Sequence, residues 1–307
     1  MAKIVFMGTP AFAVPSLKAL MQAHEVIGVI TQPDRPAGRK RRLRESPIKS
    51  LARAAGIPIM QPRRIREAAA IEALRTWDAD VFVVAAYGQI LPQALLDLPP
   101  AGTVNVHASL LPRWRGAAPI QAAIRAGDSA SGATIMLVDA GLDTGPLLAK
   151  RELPLANNET GGSLHDKLSR LGADLLAETL PRYLSGLIEP QAQDDSLATY
   201  APQIKKEEGR INWDCSAQSI ERLARAFTPW PGAFTTWREA QLRILAGRKG
   251  EGSAEPGRVI VIDGAAAVGT GDGLFFPTRL QMAGKRPLHI ADFVNGYREF
   301  AGARLGD

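Results

Sequence analysis

The sequence predicts an α/β protein: a doubly wound domain built on a parallel sheet, followed by a smaller β-barrel domain. Three observations carry this. Short apolar runs alternate with stretches of helical periodicity through the first half of the chain. Residues 81–86 are apolar throughout, as expected of a central parallel strand covered on both faces. Beyond residue 209 the runs become short and strand-like, separated by glycines at 247, 250, 252, 257, 264, 269, 271 and 273.

The elements follow in order. Residues 3–7 form an apolar run stopped by Gly8, Thr9 and Pro10, and read as a buried strand. Val14, Leu17, Leu20 and Met21 give residues 13–24 helical spacing, and residues 26–31 read as a second strand. A helix is expected over 47–55, ended by Gly56, then a strand over 57–60 and a helix over 65–77. Residues 104–108 and 134–138 are further strands, with a helix between them starting near Pro119, at a first-turn position. This rhythm predicts parallel pairing. Residues 163–184 read as one long helix, with Leu164, Leu168, Leu171, Leu175 and Leu176 along one side.

Residues 190–208 are polar and serve as the linker, either as an exposed connector or as an ordered loop packed on the first domain. A helix over 216–226 and strands at 233–237, 242–245, 259–262, 266–268 and 274–276 complete the chain. The expected division is 1–189, 190–208 and 209–307, in line with about two domains for 307 residues. Trp213, Trp230 and Trp237 are expected in the core, and Cys215 in buried packing.

Composition limits the classes of function. Hydrophobic residues make up 46% of the chain, enough for a large core. The single cysteine, Cys215, excludes an internal disulfide framework and a zinc site of the CxxC type, so no metal site is expected. It also suggests a reducing, cytoplasmic compartment. No apolar run approaches the ~20 residues of a membrane helix, and the first residues are too short a run for a signal peptide. The net charge of +6 favours an anionic partner. Its densest stretch spans residues 35–44, where six of ten are basic: Arg35, Arg39, Lys40, Arg41, Arg42 and Arg44. With Pro33, Pro36 and Gly38 close by, it reads as a mobile loop suited to phosphate contact; inert solvated surface is the alternative.

Two motifs carry chemistry. Asn105 and His107 are two apart on a strand and share a face, near the carboxyl end where open α/β sheets place their ligands. An imidazole can take a proton and a carboxamide can donate to an oxyanion. Two satisfied polar residues at a strand end are the plainer reading. The second motif runs from Asp139 to Pro146, where Gly141 and Gly145 permit a tight loop around Asp143. A carboxylate there can reach a neighbouring strand end and fix the tautomer of His107, or simply make a turn. The opening Gly8-Thr9-Pro10 is not the dinucleotide fingerprint, and no G-x-S-x-G supports a hydrolase triad.

Asn105-Val106-His107-Ala108-Ser109-Leu110-Leu111-Pro112, followed by Gly141-Leu142-Asp143-Thr144-Gly145, resembles enzymes that transfer a formyl group from 10-formyltetrahydrofolate. The segments around Gly8, Thr31 to Arg39, Ala86 to Pro92, Arg113 to Gln121 and Arg225 to Pro231 extend the resemblance to the methionyl-tRNA formyltransferase family. The resemblance implies a Rossmann-like formyltransferase domain with a C-terminal barrel resembling an OB-fold that binds tRNA. It implies Asn105, His107 and Asp143 as the catalytic trio, and Ser109, Leu110, Leu111 and Pro112 as part of the folate site. It assigns the basic segment, through Arg39, Lys40, Arg41, Arg42 and Arg44, to initiator tRNA. The implied partners are folate and methionyl initiator tRNA, with no membrane and no obligate protein partner. A folate-dependent formyltransferase for a small amine, a nucleotide sugar or glycinamide ribonucleotide, is the alternative. The basic segment and the second domain weigh against it, because a small substrate needs neither.

Overall fold

The computed structural model describes residues 1–37 and 42–306, with Ala37 and Arg42 described by backbone alone. The chain divides into two compact units. One comprises Met1–Pro119, Ala130–Pro154 and His165–Ala201; the other comprises Ile120–Ser129, Leu155–Leu164 and Pro202–Asp307.

In chain order the first elements are β1 (Lys3–Gly8), α1 (Val14–Ala23), β2 (Glu25–Ile30), β3 (Arg35–Ala37), β4 (Arg42–Arg44), α2 (Pro47–Ala54), β5 (Ile59–Met60), α3 (Ala68–Arg75), β6 (Val81–Ala85) and α4 (Gln93–Leu96). They continue with β7 (Thr103–His107), β8 (Arg115–Gly116), α5 (Pro119–Ala126), β9 (Ala130–Leu137), β10 (Leu147–Pro154), α6 (Gly161–Leu184) and β11 (Tyr200–Ala201). Seven of these strands form one sheet in the order β10-β9-β7-β6-β1-β2-β5. The five strands from β7 to β5 run parallel, as predicted, and their centre is apolar on both faces: Ile4, Val5, Phe6 and Met7 on β1 and Val81, Phe82 and Val83 on β6 are almost fully buried.

The sheet departs from the prediction at one edge. β9 runs antiparallel to β7, pairing His107 with Thr134 and Val104 with Leu137, and β10 is antiparallel to β9. The chain therefore re-enters the sheet from the carboxyl end of β7, and the helix between β7 and β9 is not a crossover. α6 packs closely on β7: a Cβ built at Gly172 would lie 2.6 Å from Val106 Cγ1. Val106 thus faces the helix, and the alternation of the strand turns Asn105 and His107 to the opposite side.

Two polar segments differ from the plainest reading. The basic segment is not simply a loop: β3 and β4 pair antiparallel, with Arg35 opposite Arg44. A two-stranded ribbon satisfies backbone groups while leaving basic side chains in water, so charge does not prevent pairing. Arg39, Lys40 and Arg41 lie outside the described residues. For 190–208, the ordered alternative describes residues 191–201. Leu147 and Gln191 exchange backbone hydrogen bonds, and β11 runs parallel to β8.

The second unit carries α7 (Ala217–Ala226), β12 (Ala233–Trp237), β13 (Ala240–Gly250), β14 (Val259–Ile262), β15 (Ala265–Gly269), β16 (Leu274–Met282), β17 (Leu288–His289) and α8 (Ile290–Gly296). Its antiparallel sheet runs β12-β13-β16-β15-β14, with β17 added to β16. Sheet and helices share one core. Trp213, Leu242, Ile244, Val268, Phe275 and Leu280 are buried there, and Trp237 packs on Phe293, Tyr297 and Phe300. Trp230 is a correction: it is 56% exposed, set between Pro229 and Pro231 in a turn rather than on a strand face. Cys215 is exposed too, in the turn that leads into α7.

Candidate active site

The carboxyl end of β7 gathers all three residues of the expected trio. Asn105 is half-buried and His107 is 6% exposed, on the same face of the strand. Asp143 lies in the loop between β9 and β10, and its Oδ2 is 3.6 Å from His107 Nδ1. The other imidazole nitrogen, Nε2, is 3.0 Å from the backbone carbonyl of Trp114. A carbonyl only accepts, so Nε2 carries the hydrogen, and Nδ1 is the nitrogen that takes or holds a second proton against the carboxylate. The same Asp143 oxygen accepts the backbone N–H of Gly116 at 2.8 Å. Carboxylate and imidazole are thus both oriented by the backbone of residues 114–116.

This geometry requires unusual backbone. Trp114 and Asp143 have φ of 61° and 53°, the left-handed region that costs a non-glycine residue of order 1–3 kcal/mol. The Asp143 loop is held by an Asx turn in which Asp139 Oδ1 accepts from Gly141 N and Thr144 Oγ1. Gly145 lies so close to the Leu137 carbonyl that a Cβ would collide with it. A glycine is required there.

The segment Ser109, Leu110, Leu111 and Pro112 is rigidly held. Ser109 Oγ donates to Arg113 O, Thr134 Oγ1 donates to Ser109 O, and Leu111 N donates to Thr134 Oγ1. Lys150 Nζ donates to Leu111 O. Ser109 and Leu111 are buried, so this stretch offers a ligand mainly Leu110, Pro112 and backbone. Thr134 was not singled out from the sequence, nor were the Trp114 carbonyl and the Gly116 amide. A lone hydroxyl at the head of the apolar run 134–138 was the available signal for Thr134.

A cleft of about 740 Å³ opens at the carboxyl ends of β1, β2 and β6. It is lined by Thr9, Gln32, Arg35, Arg44, Ser46 and Tyr87, among others, and not by the trio. Gln32 Nε2 and Thr9 Oγ1 both donate to the Tyr87 carbonyl and fix its floor. Burial pushes the Tyr87 phenol up to about 12, so it stays neutral. Arg44 and Arg35 bring the described part of the basic hairpin to this cleft. Hydrogen bonds from Lys49 and then Gln61 hold the carboxyl of Asp34, just before β3, below the usual carboxylate range.

The formyl transferase family model matches residues 2–180, and the model of the formyl transferase C-terminal domain matches residues 203–298. A methionyl-tRNA formyltransferase of Stutzerimonas stutzeri is 50% identical over 301 residues, 97% of this chain and 95% of that protein. The chain belongs to the methionyl-tRNA formyltransferase family. A second relative of that name, from Pseudomonas fluorescens, is 48% identical over 97% of this chain and 94% of its own length. Solved structures share the formyltransferase fold at lower identity. The methionyl-tRNA formyltransferase of Clostridium thermocellum superposes with a TM-score of 0.56 at 16% identity, over 92% of this chain and 99% of its own. The sugar formyltransferase WlaRD gives 0.67 at 18% identity, over 93% and 99%. No helix among the described residues is long and apolar enough to cross a membrane.

Proposed function

We propose that this formyltransferase moves the formyl group of 10-formyltetrahydrofolate to the α-amino group of methionyl initiator tRNA. The observation that carries the reading is 50% identity over nearly the full length to an enzyme of that name, with Asn105, His107 and Asp143 drawn together at one strand end. The amine attacks the formyl carbon, a C–N bond forms, and the carbonyl oxygen takes the negative charge. Asn105 donates to that oxygen, and an imidazolium at His107, set between Trp114 O and Asp143, supplies positive charge beside it. With His107 held as the imidazolium, the Asp143 carboxylate receives the amine proton, directly or through water, and passes it on. Collapse breaks the bond to the carrier nitrogen, which is protonated as tetrahydrofolate leaves.

In this reading Ser109, Leu110, Leu111 and Pro112 line the folate side. The basic segment, with Arg39, Lys40, Arg41, Arg42 and Arg44, meets the acceptor arm of the tRNA. Residues 209–307 add RNA contact without chemistry, and the enzyme works in the cytoplasm. The test is formyl transfer from the folate carrier to charged initiator tRNA, with uncharged tRNA and a free amino sugar as controls. Transfer to the amino sugar at the greater kcat/KM would replace this reading with that of a small-amine formyltransferase.

A further inference from the structure

The polar segment after α6 reaches the Asp143 loop through one side chain. Gln193 Oε1 accepts from Arg115 Nε at 3.1 Å and from Arg115 Nη2 at 2.9 Å. Gln193 Nε2 donates to the carbonyls of Asp143 at 2.9 Å and Gly145 at 2.8 Å. All four hydrogen-bonding positions of the carboxamide are filled. The two donated bonds fall on the left-handed turn that aims Asp143 at His107. Arg115 is 1% exposed, its backbone N–H donates to Thr199 O, and its Nη2 also donates to Asp195. The next residue, Gly116, supplies the amide that binds the Asp143 carboxylate. One buried guanidinium and one carboxamide therefore join the two loops that orient the imidazole and its carboxylate.

We infer that Gln193 is a positioning residue for the formyl-transfer step: it fixes the Asp143 loop against Arg115, so that the carboxylate faces His107 Nδ1 and the Gly116 amide. A glutamine is suited to the place because it alone among side chains of this length accepts twice on one atom and donates twice on the other. Glutamate keeps the contact with Arg115 and loses both donors, leaving its second oxygen against two carbonyls. Methionine keeps the length and loses all four bonds. This inference rests on the proposed roles of His107 and Asp143.

The experiment compares Gln193→Glu, Gln193→Met and Asp195→Ala in the full chain. Kinetics are read with charged initiator tRNA, and the Gly116 amide proton is read by NMR without substrate. In both Gln193 variants kcat should fall by about 10- to 100-fold, as for a catalytic group displaced by a fraction of an ångström, with both KM values within a few-fold. The Gly116 resonance should move toward its position in Asp143→Ala. Gln193→Met combined with Asp143→Ala should be no slower than Asp143→Ala alone, because the glutamine acts through that carboxylate. Asp195→Ala removes the exposed partner of Arg115 and should leave kcat within twofold. A fixed Gly116 resonance in both Gln193 variants overturns the inference, and so do additive losses in the double variant. The NMR result stands whichever amine is the substrate. Its failure is thereby distinct from a failure of the tRNA reading, which would show as wild-type protein inactive on charged tRNA.

Discussion

The end of β7 and the hairpin that follows β2 are built in opposite ways. At β7 His107 and Ser109 are buried, Asp143 and Asn105 partly so, and three of the four polar groups have named partners: imidazole the Trp114 carbonyl, carboxylate the Gly116 amide, and Ser109 Arg113 O. At the hairpin, Arg35, Leu43 and Arg44 are exposed, and the backbone pairing of β3 with β4 supplies the order. A reacting centre gains from fixed dipoles in a dry site, where each is worth more than in water. Recognition of a polyphosphate backbone needs positive charges that can reach many oxygens from solvent. Damage to the first region should therefore appear in kcat, and damage to the second in tRNA binding and its salt dependence.

The largest effects are expected at the trio. His107→Ala and Asp143→Ala should lower kcat by at least ~10², with folate and tRNA binding within a few-fold. Asn105→Ala should cost about 2.7–4 kcal/mol of barrier, the range for one lost oxyanion donor. An unchanged kcat in any of the three would remove that residue from the mechanism.

A smaller effect tests whether the support of β7 matters as much as its side chains. Gly172→Ala places a Cβ against Val106. Overpacking of this kind costs roughly 1–3 kcal/mol, and Tm should fall accordingly. Because Val106 lies between Asn105 and His107, kcat should also drop, by about tenfold if the strand shifts a fraction of an ångström. A lower Tm with unchanged kcat would show that the strand end is insulated from packing beneath it.

The contrast between the two regions also governs what the sequence reveals. The parallel strands were legible because β-branched runs bounded by Gly and Pro leave few alternatives, and Asn105 and His107 stood out as polar residues in an apolar run. Asp143 was legible from the glycines that its turn requires. The partners of these groups were not, because the Trp114 carbonyl, the Gly116 amide and the Gln193 carboxamide act through backbone geometry or from far along the chain. The reversal of β9 was hidden for a related reason: strand direction depends on which end of the sheet the chain re-enters, and a short apolar run does not record it. Trp230 misled because an aromatic between two prolines carries no periodicity to place it.

In the basic segment the expected change is in binding. Replacing Arg39, Lys40, Arg41 and Arg42 with Ala should raise KM for charged tRNA and flatten the slope of log K against log salt by roughly one to three units, at about 0.9 per phosphate on a paired stem. Folate binding should not change. A salt slope identical to that of the wild type would leave this segment with no part in tRNA contact.

The smallest effect concerns what anchors the hairpin. Asp34 precedes β3, and its carboxylate bridges Lys49 Nζ on α2 at 2.6 Å and Gln61 Nε2, just past β5, at 2.9 Å. Those bonds hold its folded pKa below the ordinary 3.8. A depressed carboxyl contributes stability that is present above the unfolded value and is lost as pH falls through the folded one. The wild type should therefore melt slightly higher than Asp34→Asn near neutral pH, and the two Tm curves should converge as pH drops below about 4. Lys49→Met should show the same convergence, because it removes the largest cause of the shift. The carboxyl is about a quarter exposed, so water and salt screen the pair and the gap should narrow in high salt. Parallel Tm curves down to pH 3 would mean that the root of the ribbon is held by backbone pairing alone, and that the contrast with β7 extends to its anchor.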